Sequence, residues 1–182
     1  TRATDFITPK SAISRVFRDA VLSLSKHHAF AQKLVNSGRL SMPSTYLNSP
    51  LNTEDMDHFA GMMRPGAPAA DAPVITAHGE RQWFLQQVGD RFATVFFTDV
   101  YIPAAEISQA PVVQVLPADA SVPSRANAIV DVDGLLAARF DARPGTTYLL
   151  RPDQHVAARW REFDPTRVKS AWCRATGQEP KP

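Results

Sequence analysis

Only a few residues of the 182-residue chain have side chains and spacings suited to chemistry. Cys173 is the one sulfur nucleophile, so neither an internal disulfide nor a Cys-x-x-Cys redox pair can form. It falls beside Trp172 in an expected helix, where a buried structural thiol is the simpler reading. Glu54, Asp57 and His58 stand three and four apart, a spacing that would gather them on one helical face as metal ligands. An exposed acidic turn after Thr53 is the plainer account. Asp131-Val132-Asp133-Gly134 opens like a calcium loop but lacks the later ligands and the closing glutamate, so it reads as a β-turn. His27, His28, His78 and His155 are scattered and have no nucleophile spaced to them, and no G-x-S-x-G elbow occurs. G-x-G-x-x-G and G-x-x-x-x-G-K-[ST] are absent, so no loop is expected to cradle a phosphate. Catalytic, cofactor-binding and metal-binding residues are all expected to be none.

The elements that would position these side chains fall into three stretches. Thr8-Pro9 reads as a helix start, followed by Ile13, Val16, Phe17, Val21 and Leu24 in one apolar stripe. A second short helix is expected over Ala29–Asn36, with Gly38 as its left-handed cap. Residues 1–38 therefore form a helical arm too small to bury its own apolar face. Residues 39–72, with Pro43, Pro50, Pro65 and Pro68, read as a proline-rich linker. Residues 73–182 read as the domain proper. A strand near Pro73–Ala77, a helix over Arg81–Val88 and a buried strand over Phe92–Thr98 come first. A strand over Pro111–Leu116, an extended piece at Ala128–Asp131 and a helix over Leu135–Phe140 follow. A hairpin joins Thr146–Leu150 to His155–Trp160 through a four-residue turn. Asp164 then caps a last helix with Pro165 at its first position.

The order β-α-β-α-β-β-α predicts an α/β fold: a mixed sheet flanked by helices, thioredoxin-like but without its Cys-x-x-Cys. The loop where that motif would stand reads Thr98-Asp99-Val100-Tyr101-Ile102-Pro103-Ala104 and holds no sulfur. Gly145-Thr146 stands where the fold's cis-proline would fall, with Pro144 slightly early.

Charge and composition narrow the function. A net charge of +2 gives no reason to expect nucleic acid or an anionic membrane. No apolar run reaches the ~18 residues that would span a bilayer, and no apolar run behind a basic start marks a secretion signal. A cytoplasmic location is expected. Residues 1–40 carry seven bases against two acids, and residues 41–80 one base against five acids. This asymmetry fits a separate first element. Arg139–Arg174 holds eight bases and four acids, expected as surface pairs. The chain opens on Thr1 rather than Met, as a processed product or an excised piece would.

The stretch Thr147–Trp160, TYLLRPDQHVAARW, resembles the closing hairpin of the C-terminal domain of FAD-dependent aromatic hydroxylases. These are the single-component flavoprotein monooxygenases that include phenol hydroxylase and 3-(3-hydroxyphenyl)propionate hydroxylase. Arg64-Pro65-Gly66-Ala67-Pro68 with Asp71 resembles that domain's entry, and Gly38–Tyr46 the connector before it. The helix from Pro9 to Ser25 resembles the end of the flavin and substrate portion. The resemblance implies a non-catalytic structural and dimerisation domain of an enzyme that uses FAD and NAD(P)H. Its partners would be a missing N-terminal flavin-binding portion and a second copy of the chain. The family's flavin motifs are absent, so none of its flavin residues is carried over. Two alternatives stay open: a stand-alone thioredoxin-like module binding at Asp99–Ala104, and a one-cysteine thiol peroxidase relying on Cys173.

Overall fold

The computed structural model describes residues 6, 8–35, 43–103, 110–124 and 126–178. The chain divides into two compact units, Thr1–Pro43 and Ser44–Pro182.

The first unit is a helical hairpin of α1 (Ala12–Ser25) and α2 (Ala29–Val35). The helix start expected at Thr8-Pro9 lies later. Ser11 is the N-cap, in extended conformation, and its hydroxyl accepts from the Ser14 amide at 3.1 Å. That bond satisfies one of the first-turn donors, which Thr8 would have left several residues away. Val21 and Ala31 are buried, whereas Ile13, Val16, Phe17 and Leu24 of the stripe are exposed. The cap expected at Gly38 lies outside the described residues.

The second unit is built on one seven-stranded sheet. Its elements are β1 (Pro73–Thr76), β2 (Arg81–Trp83), α3 (Phe84–Val88), β3 (Ala93–Phe97), β4 (Val112–Pro117), β5 (Ala128–Asp131), α4 (Leu135–Arg139), β6 (Thr147–Leu150), β7 (Val156–Trp160) and α5 (Pro165–Ala175). The strand order is β2-β1-β5-β4-β3-β6-β7. β3, β4 and β5 run parallel, and the remaining pairs are antiparallel. Every residue of β3 and β6 is buried, as the continuous apolar runs required. One face of the sheet packs Phe84 and Val88 of α3, Leu136 of α4 and Phe140 just after it against Phe97 and Tyr148. Phe140 meets Tyr148 edge-on at 4.9 Å and Phe84 at 5.5 Å, the favoured aromatic arrangement. The other face packs Val168 and Ala171 of α5 on Leu149, Ala158 and Trp160. The fold is the expected α/β mixed sheet with helices on both faces.

Two expectations for this unit change. Arg81–Val88 is not one helix: its first three residues pair with β1 as the edge strand β2. The Gln-rich polar alternation there suits a half-exposed edge as well as a helix, and pairing with Val74 and Ile75 decides it. The stretch expected as linker also differs from Ser44 onward, because it belongs to the sheet unit. Thr53 and Gly66 donate backbone hydrogen bonds to Ala157 and Val156 at 2.9 and 2.7 Å, and Val156 donates to Ala67 at 2.9 Å. Pro68 bridges His155. Residues 44–72 thus strap the open edge of β7, and prolines suit a position where no continuous ladder is needed.

Candidate functional site

Open α/β sheets place their sites at the carboxyl ends of the parallel strands. Here those ends carry the loop after β3, the turn into α4 and the Arg143-Pro144 turn before β6. A cleft of about 150 Å³ opens there, lined mainly by Phe97, Val115, Leu116, Pro117, Ala137 and Ala142, with Thr98, Asp99, Asp131 and Arg143 as its charged and polar groups.

Each surrounding loop is fixed by a traceable bond. Gln114, 1% exposed in the middle of β4, holds the loop after β3 from below. Its Oε1 accepts from the Ile102 amide at 2.8 Å and its Nε2 donates to the Ile102 carbonyl at 2.5 Å. The side-chain amide therefore mimics a strand neighbour. Asp131 ends β5 and accepts from the Leu136 and Ala137 amides at 3.1 and 2.8 Å, satisfying the first turn of α4. Gly134 adopts φ 64° between them, a conformation that glycine takes without strain. Thr98 Oγ1 donates to the Val100 carbonyl at 2.9 Å. Before β6, the Thr146 amide donates to the Arg143 carbonyl at 2.9 Å, and its own carbonyl accepts from Phe97 at 2.9 Å.

The sequence candidates distribute as follows. Cys173 is half-buried on α5 and free, on the helix packed against β6 and β7. The loop from Thr98 to Pro103 presents no sulfur, and Ala104 lies outside the described residues. Glu54, Asp57 and His58 do not share a helical face, because residues 53–60 are not helical. Asp57 accepts from the Arg161 amide at 2.9 Å, and the His58 carbonyl accepts from the Arg161 guanidinium. Among the described residues no group of three or more His, Cys, Asp or Glu could hold a metal ion. Asp131 and Asp133 serve the turn into α4, and Asp133 lies 3.7 Å from Arg81. His27 and His28 join α1 to α2, and His78 sits in the turn between β1 and β2. His155 is buried, with Nδ1 3.0 Å from the Asp153 carbonyl and Nε2 3.0 Å from that of Ser44. These histidines are not brought together.

The basic segment is mostly spent on internal pairs, and one of them was not anticipated. Arg159, on β7, is 5% exposed and forks onto Asp55 at 2.9 and 2.6 Å. Arg161 pairs with Asp141 at 2.5 Å. Both guanidinium groups lie over the Phe59 ring, at 4.3 and 3.7 Å from its centre. Burial works against the Arg159 cation, but Asp55 and the neighbouring Tyr148 hydroxyl outweigh it and hold the group above its usual value. The Ala60 amide and Arg161 draw the Asp141 carboxyl below its usual range. Burial pushes the Tyr148 hydroxyl up to about 12, although Arg159 pulls the other way. It donates to the Phe140 carbonyl at 2.5 Å. Part of this clamp has a signal in the sequence: Asp55-x-Asp57 and Arg159-x-Arg161 share a period of two, and Asp55 meets the Arg159 guanidinium while Asp57 meets the Arg161 amide.

The fold and its loops define an α/β domain on a mixed sheet, in which residues 98–103 after β3 carry no sulfur. The chain belongs to the HcaD C-terminal domain family, whose profile matches residues 72–175. No curated protein sequence matches it. Among solved structures it is similar to the flavin-dependent monooxygenase PieE, determined in complex with FAD and substrate. The identity is 18% over 97% of this chain and 32% of that one, with a TM-score of 0.56. It is also similar to aklavinone-11 hydroxylase, determined in a ternary complex with FAD and aklavinone. There the identity is 18% over 74% of this chain and 26% of that one, with a TM-score of 0.54. The chain spans about a third or less of these relatives' length. Both are flavin enzymes, the class that Thr147–Trp160 resembles.

Proposed function

We propose that the chain is the C-terminal, non-catalytic portion of an FAD- and NAD(P)H-dependent aromatic-ring monooxygenase, serving it as a structural and dimerisation module. Residues 1–38 are the arm that ends the flavin and substrate portion. Residues 44–72 belong to the sheet domain and strap the sheet that residues 73–182 build. The partners are the upstream flavin-binding portion and a second copy of the chain, and the enzyme works in the cytoplasm.

The observation that carries this reading is the state of the sheet's carboxyl end. A thioredoxin-like catalyst needs a thiol after β3, and here that loop is tied down at Ile102 by Gln114. The residues present do not fit FAD. No glycine-rich turn follows a strand to cradle its pyrophosphate. Flavin chemistry therefore belongs to the upstream portion. The exposed stripe of α1 supports the dimer, since Ile13, Val16 and Phe17 are 83%, 70% and 59% exposed.

Sedimentation and flavin titration of the 182-residue chain test the reading. The expected result is a dimer that dissociates on the double substitution Val16→Asp and Phe17→Asp, with no stoichiometric FAD binding. A chain that is monomeric at every concentration sinks the dimerisation role. A yellow chain carrying one flavin, or peroxide turnover lost in Cys173→Ser, sinks the non-catalytic role.

A further inference from the structure

We propose that His155 is a proton-operated latch for the strap: as the imidazolium it holds Ser44 against the β6–β7 hairpin, and loss of the Nε2 proton releases that end. The inference stands on the strap and the hairpin and does not depend on the parent enzyme proposed above.

Donor counting carries it. His155 is 8% exposed, so its ring nitrogens find their partners in the protein. Nδ1 lies 3.0 Å from the Asp153 carbonyl oxygen, and Nε2 lies 3.0 Å from the Ser44 carbonyl oxygen. Both partners can only accept. A neutral imidazole owns one N–H and sets its other nitrogen's lone pair against a carbonyl, whereas the imidazolium owns two and satisfies both. Burial works against the charge, and the groups facing the ring work for it. The Asp153 carboxylate stands 3.5 Å from Nδ1, and the Tyr46 ring from the strap lies 5.1 Å away, centre to centre. Arg151, paired with Asp153 at 2.6 Å, is the cation that tempers this field.

The two ends of the latch are not equivalent. On the hairpin side the His155 amide also donates to Asp153 Oδ1 at 3.3 Å, so ring and carboxylate share one turn. A neutral ring keeps its proton on Nδ1, between the Asp153 carbonyl and carboxylate. The proton that leaves is the one on Nε2, and the Ser44 carbonyl then faces a lone pair. Ser44 is the first residue of the sheet unit. Beyond it the Tyr46 amide donates to the Gly66 carbonyl at 2.8 Å, and the Thr53 amide to the Ala157 carbonyl at 2.9 Å. The latch thus governs the entry of the strap and leaves its middle in place.

The test follows the 182-residue chain by NMR between about pH 5 and 8, the range in which histidine changes charge. The ring nitrogen shifts of His155 should show both nitrogens protonated at the acidic end and a neutral ring protonated on Nδ1 at the basic end. Exchange protection of the Tyr46 amide, corrected for base catalysis, should fall by about fivefold across the same transition, the worth of one hydrogen bond, while that of Thr53 holds. Asp153→Asn removes the carboxylate at an exposed side chain and moves the transition to lower pH. His155→Gln has no proton to lose and abolishes the pH dependence. If His155→Gln does not fold, the ring shifts and Asp153→Asn decide alone. A neutral ring protonated on Nε2, Tyr46 protection that stays flat across that range, equal losses at Tyr46 and Thr53, a transition unmoved in Asp153→Asn, or a pH dependence that survives in His155→Gln overturns the proposal.

Discussion

Replacing Asp55 by Asn should destabilise the sheet unit more than removing the arginine it faces. Arg159 is 5% exposed and Asp55 29% exposed, so Asn leaves a cation in a nearly dry place facing a neutral amide. Breaking a buried pair from one side costs about 3–5 kcal/mol. Partial exposure of Asp55 lets water in and brings the expected cost to about 2–3 kcal/mol. Arg159→Met runs the other way. The stem volume is retained, the stranded carboxylate can hydrate, and the cost falls to about 1 kcal/mol. Trp83, Trp160 and Trp172 all lie in the second unit, and Trp160 follows Arg159 directly, so tryptophan fluorescence reports this unit alone. With a urea slope of roughly 2 kcal/mol per molar, the Asp55→Asn midpoint moves down by about 1–1.5 M at an unchanged slope. A shift below about 0.3 M, or a larger loss for Arg159→Met than for Asp55→Asn, refutes the reasoning.

Three further outcomes are expected. Gln114→Leu strands the Ile102 amide and carbonyl and costs about 1–3 kcal/mol; amide exchange should accelerate at residues 98–103 and not in β6. Gly66→Ala drives a methyl into the Tyr46 carbonyl, at a φ of 88°. Limited proteolysis should then cut residues 44–52 faster than in the parent chain. Tyr148 has its folded value raised from 10.0 to about 12, so the folded form keeps the proton that the unfolded chain releases. Its contribution is complete below pH 10 and is lost as pH rises towards 12. Tyr148→Phe should therefore be about 1 kcal/mol less stable at neutral pH, from the lost bond to Phe140. That deficit should narrow between pH 10 and 12 in parallel urea titrations.

Local chemistry was legible wherever it was self-contained. Asp164 and Pro165 announce α5, and the structure caps it there, with the carboxylate accepting from Thr166 and Arg167. The β6–β7 hairpin and the buried run of β3 were readable because period and turn residues agree. What failed depends on distant partners. β2 is a strand because β1 lies beside it, and the strap is ordered because β7 has an open edge. Proline content speaks for irregular backbone, and it is silent on whether that backbone is packed. The cleft at the carboxyl ends of the parallel strands was invisible because its walls come from three strands and α4, which no local spacing brings together.

The strap has a temporal consequence. Asp55 and Arg159 are 104 positions apart, so a ribosome adding about 5–20 residues per second delivers the acid some 5–20 seconds before its base. During that interval the acidic segment has nothing to close on, and β3 and β4 emerge while the hairpin that flanks them is still unmade. Completion waits for β7 and α5, and a nascent polypeptide halted before Ala157 lacks both and presents the sheet face that α5 covers to chaperones and proteases alike.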